Sequence, residues 1–229
     1  MNIFGSFTFG SLIKTFLPGM VWLFAIGLLE ADLSRLCGTE PLLLAAVLDS
    51  AQTSLVLAIG FPAAILLGLM SNIVIFFGVN DFLVRRPVKK ANPELFLLYD
   101  RLVARMRDRC WTSVGVPDAT ARKIFDIHTD VEIMMLTAID QNKLAYVREQ
   151  YWYHLEFQMN LLLSLIALFV GAVANALINA KVAGASHVPL LIYLIVFPLI
   201  WIFLLMAARK NYGRHVSKML SLMAGVLSA

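Results

Sequence analysis

The sequence predicts an all-α integral membrane protein, with four transmembrane helices and a helical cytoplasmic domain between spans two and three. Three observations predict it. Of the 229 residues, 60% are hydrophobic, and the mean hydropathy is +0.78, well above that of a soluble domain. Apolar runs of about 20 residues, enough to cross a hydrocarbon core as helix, recur along the chain. None of them alternates with period two as a barrel strand would, so helices must satisfy the backbone in lipid.

Span one is expected over Leu12–Leu29, interrupted by Lys14 and Pro18. Lys14 can snorkel to the head groups, and Pro18 is tolerable near a helix start. The preceding "NIFGSFTFG" carries Phe4, Phe7 and Phe9 and is expected to anchor at the interface. It has neither a basic n-region nor a small-x-small cleavage site, so it is expected to be retained. Span two covers Ser54–Phe77 and contains Pro62. Span three covers Met159–Ala180, and span four covers Pro189–Ala208 with Pro198 inside. The expected organisation is therefore 1–80 for the N-terminal segment and spans one and two, 81–157 for the cytoplasmic domain, and 158–229 for spans three and four with a basic tail.

Orientation follows from basic residues beside the spans. Arg85, Arg86, Lys89 and Lys90 follow span two, Lys143 and Arg148 precede span three, and Arg209, Lys210, Arg214 and Lys218 follow span four. The connection between spans one and two sets Arg35 against Glu30, Asp32, Glu40 and Asp49. Both termini and the middle segment are thus expected on the cytoplasmic side of a bacterial inner membrane, in a multi-pass protein. Tyr151, Trp152 and Tyr153 fall where that segment would meet the head groups, a depth that suits amphipathic rings. Cys37 and Cys110 then lie on opposite sides and are expected to be unpaired.

The middle segment reads as helices. Asn92, Pro93 and Glu94 form a helix start, and Leu95, Leu98, Leu102 and Met106 share one face. Asp118 is a candidate cap for a second helix with Ile124, Ile127, Val131, Met134 and Met135 as its stripe. A third helix, from Gln141 to Phe157, is expected to run into span three. Arg101, Arg105 and Arg109 form a separate row at i, i+4, i+8. A solvated, salt-bridged face explains such a row. An anionic-ligand-binding site also explains it, because guanidinium forks match phosphate.

Carboxamides inside a lipid-spanning helix need partners, since an unpaired one costs several kcal/mol in hydrocarbon. In span three, Asn160, Ser164, Ala167, Gly171, Asn175 and Asn179 recur at threes and fours down one side. The opposite side, with Leu162, Ile166, Phe169 and Val173, suits lipid. Span two has a similar band of Ala64, Gly68, Ser71 and Asn72. Three uses fit these residues: contacts within one bundle, the wall of a hydrated pathway shared between copies, or a lipid- or partner-binding groove.

No enzymatic chemistry stands out. His128, Asp130 and Glu132 are close in sequence, but they lack the HExxH order and a further ligand pair. No nucleophile elbow, P-loop or dinucleotide fingerprint is present. No catalytic residue, metal site or cofactor is expected.

The stretches "IKTFLPGMVWLFAI", "AIGFPAAILLGLMSN" and "REQYWYHLEFQMNLLLSLIAL", together with the helical insert, carry a resemblance of layout. The chain resembles the small multi-span membrane effectors of bacterial anti-phage defence systems, among them those of nucleotide-signalling systems and the channel-forming effector of the Hailong system. The resemblance implies an oligomeric pore that disrupts the membrane potential under control of a nucleotide or DNA ligand made by a partner enzyme.

The resulting expectation is a homo-oligomeric ion channel in the bilayer, with a tetramer as the working number. Asn72, Ser71, Asn160, Ser164, Asn175 and Asn179 would be pore or helix-contact residues. Arg101, Arg105 and Arg109 would sense a nucleotide or single-stranded oligonucleotide. A non-conducting scaffold or sensor that binds a protein partner, or an accessory transporter subunit, are the alternatives.

Overall fold

The computed structural model describes residues 9–39, 53–115, 118–128, 139–183 and 188–228. Every element there is helical, with no strand among the described residues. Four helices are long and apolar enough to cross a membrane.

Helix α1 runs Phe9–Cys37 and continues well past the expected end at Leu29. Glu30, Asp32 and Arg35, expected in a loop, are therefore helical. Nothing in "LEADLSRLC" breaks a helix, and the stop comes at Gly38, whose φ of 69° is the left-handed conformation glycine adopts without strain. The Thr39 N–H then donates to the Ser34 carbonyl at 2.9 Å, closing the helix end. Pro18 lies in the helix interior rather than near its start, and it is fully buried.

Helix α2 runs Thr53–Val74 and continues as π-helical turns Ile75–Val79 and Asp81–Arg85, with a kink at Gly78. Short helix α3, Arg86–Ala91, leads to α4, Pro93–Val114. Asn92 occupies the expected cap position of α4, but its side-chain amide donates backwards to the Val88 carbonyl at 3.2 Å. Asp118 caps α5, Ala119–His128, as expected, accepting from the N–H groups of Thr120 (2.9 Å) and Ala121 (2.7 Å). Helix α6, Gln141–Val147, is capped by Asp140 and passes through a π-helical turn into α7, Tyr153–Ala183. Helix α8 is continuous over Val188–Ser228, with Pro198 inside it. At 41 residues it is about 60 Å long, twice the hydrocarbon thickness.

The chain forms two compact units. The first comprises Met1–Leu83 and Tyr153–Ala208; the second comprises Val84–Trp152 and Arg209–Ala229. The tail after Ala208, which the sequence reading grouped with spans three and four, thus packs with the middle segment.

In the first unit α1 packs along both α2 and α7. Small residues set the α1–α2 contact. A Cβ added at Gly19 would lie 1.7 Å from the Ala64 carbonyl oxygen, and one at Gly68 would lie 2.0 Å from that of Thr15. Only glycine permits backbones to meet so closely. Leu162, expected to face lipid, is buried. Phe169 instead joins a ring cluster with Phe197 (5.3 Å) and Trp201 (5.2 Å). The most apolar stretch of α8 contributes no buried residue (0%), against 22–28% for the other three spans.

In the second unit Met106, Ile139 and Met223 form a core, with Leu102, Leu144 and Leu222 packed around it. The buried face of α4 is shifted from the expected stripe. Phe96 is buried, whereas Leu98 is 46% exposed. Phe96 turns in because its ring stacks on Tyr212, 6.1 Å away, and the Tyr212 hydroxyl accepts from Arg85 Nε at 3.2 Å. His215 packs against Trp152 at 5.1 Å. Burial lowers its pKa to about 4, opposed by a backbone hydrogen bond to Val147.

Candidate functional site: a polar seam in the first unit

Helix α7 carries Glu156, Asn160 and Ser164 at four-residue spacing, so their side chains stack on one face. Asn175 and Asn179 continue the line one stretch further along. Between the two groups Gly171 packs against α1, where an added Cβ would stand 3.4 Å from the Ala25 carbonyl. All of these residues face α1 and α2 of the same chain.

At one end Glu156 forms an ion pair with Lys14, and the two side chains are only 10% and 17% exposed. The Lys14 ammonium also sits 4.3 Å from the centre of the Tyr153 ring. Two charges so nearly dry are stable because each neutralises the other, and the ring face adds a cation–π attraction. The next layer joins Asn160 to α2. Its Nδ2 donates to Asn72 Oδ1 at 3.1 Å. Ser71 and Ser164 are buried beside this level, and Ser164 Oγ donates to the Leu161 carbonyl at 2.9 Å.

At the far end a chain of bonds crosses from α7 to α1. Asn175 Nδ2 donates to Asp32 Oδ1 at 2.6 Å. Asn179 Nδ2 donates to Asn175 Oδ1 at 2.9 Å, and Arg35 Nη1 donates to Asn179 Oδ1 at 2.9 Å. The order Asp32, Asn175, Asn179, Arg35 therefore connects an acid to a base through two carboxamides. Polar groups thus lie at both ends of the bundle and partway along it, inside helices that are otherwise apolar.

The network is incomplete. Asp32 Oδ2, Ser71 Oγ and Asn160 Oδ1 are buried and have no protein partner among the described residues, and Asn80 Oδ1 beyond them is the same. Buried acceptors of this kind are satisfied by water or by a cation, and lone apolar packing leaves a desolvation penalty of about 1–3 kcal/mol each. The orphaned acceptors lie at two separate levels: the Asp32 carboxylate beside Asn175, and the Asn160 carboxamide with the Ser71 hydroxyl nearer the Lys14–Glu156 end.

All six residues expected as pore or contact positions belong to this seam. Five further members were missed. Lys14 was read as a snorkelling residue, Asp32 and Arg35 as loop charges, and Asn80 was not singled out. Glu156 was not singled out either, although its four-residue spacing to Asn160 places it on the polar line.

The arginine row on α4 does not converge. Arg101 and Arg105 are exposed, while Arg109 Nη1 donates to the Val226 carbonyl at 2.9 Å in the last turn of α8. That bond satisfies a helix-end carbonyl and gives Arg109 a structural task. Lys89, on α3, lies 3.8 Å from Asp100 at an exposed position. Neither Cys37 nor Cys110 is in a disulfide. Asp130, Glu132, Val131, Met134 and Met135 lie outside the described residues, as do Glu40, Asp49, Phe4 and Phe7. No family model matches the chain, and no curated protein or solved structure matches it.

Proposed function

We propose that this chain is the subunit of an oligomeric ion channel or pore, closed in the conformation described. Its pathway is the polar seam between α1, α2 and α7. The observation that carries the reading is the set of buried acceptors without a partner among the described residues, at Asp32, Ser71 and Asn160, together with the nearly buried Lys14–Glu156 ion pair. Ionisable and amide groups at membrane depth are expensive, and they typically mark ion or proton routes. Opening would separate α7 from α1 and α2, exchanging the direct side-chain bonds for water.

Assembly is supported by α8, whose most apolar stretch carries no buried residue among the described residues. Control is proposed to come through the second unit, because α8 belongs to both units. A phosphate-bearing ligand made by a partner enzyme suits the basic character of that unit, as in the anti-phage effectors the layout resembles. The basic flanks support a bacterial inner membrane with both termini and the second unit in the cytoplasm. Catalysis has no part in this reading.

A non-conducting scaffold or sensor is favoured by one specific observation: Asn72 with Asn160, and Asn175 with Asp32, already satisfy one another inside one chain. Ion flux separates the two. Purified protein in liposomes is expected to dissipate a potassium gradient, with flux reduced by Asn160→Leu while the oligomer persists. A protein that assembles yet never conducts, with or without nucleotides, would establish the scaffold instead.

A further inference from the structure

The second unit contains a basic groove that the seam does not involve. It has a volume of about 470 Å³, and its lining includes Val88 and Asn92 on one side and Arg209, Lys210, Arg214 and Ser217 on the other. Three cations line it and no carboxylate does. The walls come from parts of the chain more than 100 residues apart, so the groove is a product of folding rather than of local sequence.

Each wall is fixed by packing. Val88 and Val216 are buried, and Tyr212 holds Arg85 by its hydroxyl and Phe96 by its ring. Gly213, facing Val88, leaves the floor without a side chain. On α8, Lys210 and Arg214 are one helical turn apart, both exposed, and both line the groove. Ser217 adds a hydroxyl donor one turn further on. An Arg fork, an ammonium and a hydroxyl around a concave, rigid floor form a donor set that matches the oxygens of a phosphate group.

We infer that this groove binds a phosphate group, supplied in the resting protein by the head group of an anionic phospholipid. Depth argues for that source. Arg209 directly follows Ala208, where the apolar stretch of α8 ends, and cations at such a junction meet the head groups of the cytoplasmic leaflet. The same donors accept a soluble phosphate, so the two sources are arms of one test. The inference concerns binding and stands whether or not the seam conducts.

The test uses the purified full chain in neutral detergent micelles. Native mass spectrometry follows the retention of phosphatidylglycerol against phosphatidylcholine, and a second arm titrates pyrophosphate and reads the rise in melting temperature. Three double variants are compared: Lys210→Gln with Arg214→Gln, the charge-keeping Lys210→Arg with Arg214→Lys, and Arg107→Gln with Lys143→Gln, at two exposed positions away from the groove, as a control of equal charge loss. The groove variant is expected to weaken phosphatidylglycerol binding about tenfold or more, since it removes two of the three cations that line the groove. The charge-keeping variant and the control should stay within about twofold of the parent. Loss of pyrophosphate binding alone, on the same variant, would assign the groove to a soluble phosphate and overturn the lipid source. Equal losses in the groove and control variants, or no loss in either arm, would overturn the site.

Discussion

Asn72 and Asn160 form a direct carboxamide bond between α2 and α7, at 3.1 Å. Interhelical bonds of this kind contribute about 0.6 kcal/mol on average and up to about 1.7 kcal/mol. A double-mutant cycle with Asn72→Ala and Asn160→Ala is therefore expected to give a coupling of about 1 kcal/mol by unfolding in bilayers or bicelles. A coupling indistinguishable from zero would mean the pair does not form in lipid. The ion pair at the other level behaves differently. Lys14→Met leaves Glu156 buried without its counter-charge, and about 3 kcal/mol of stability should be lost. Adding Glu156→Met is expected to restore most of it; if the double variant is no better than the single, the two charges are not solving each other's burial. The sequence made the carboxamides legible, because an amide in an apolar run needs a polar partner. Their partners were not legible. Asp32 is 143 positions from Asn175, and Lys14 is 142 from Glu156. The partner on another helix cannot be read from the periodicity of one.

Helix contacts in the first unit depend on two glycines. A side chain at Gly68 would drive into the Thr15 carbonyl, and one at Gly19 into that of Ala64, so backbone rather than side chain must yield. Gly68→Ala is expected to separate α1 from α2 and to lose about 1–3 kcal/mol, read as a lower midpoint of denaturation in mixed micelles. An unchanged midpoint would show that these helices are not in backbone contact. The small-residue band in span two pointed to this contact from sequence, and Asp118 was legible as a cap because a short acidic side chain before a helix has a defined geometry. The extent of α1 was not legible. Charged residues after Leu29 looked like a loop, yet in the fold they are solvated or paired along a continuing helix. The shifted face of α4 was hidden for a similar reason, since its orientation is set by Tyr212 on α8. That same packing gives the second unit a pH dependence. His215 has a folded pKa near 4 against an ordinary 6.5, so the unfolded state binds the proton first. The stabilising contribution is complete above pH 6.5 and is lost as pH falls toward 4, up to about 3 kcal/mol. Hydrogen-exchange protection factors across 209–228, which are corrected for the slower intrinsic exchange at low pH, should fall over that window, and His215→Gln should remove the fall.

Across the whole molecule, the four spans followed from length and hydropathy alone, because the energetics of lipid leave few ways to build such a chain. What the seam does is a different matter: we propose that its direct bonds and orphaned acceptors belong to a closed channel, and that water and ions enter the seam when it opens. The most direct measurement places a thiol in the seam. In a background carrying Cys37→Ser and Cys110→Ser, Ser164→Cys sits among buried groups, while Val170→Cys lies on the exposed side of α7. Current through planar bilayers is recorded before and after a charged, membrane-impermeant thiol reagent. The account expects the reagent to suppress current through the Ser164→Cys channel and to leave the Val170→Cys channel unchanged. Undiminished current in the Ser164→Cys channel, or a purified oligomer that carries no current at all, would contradict it.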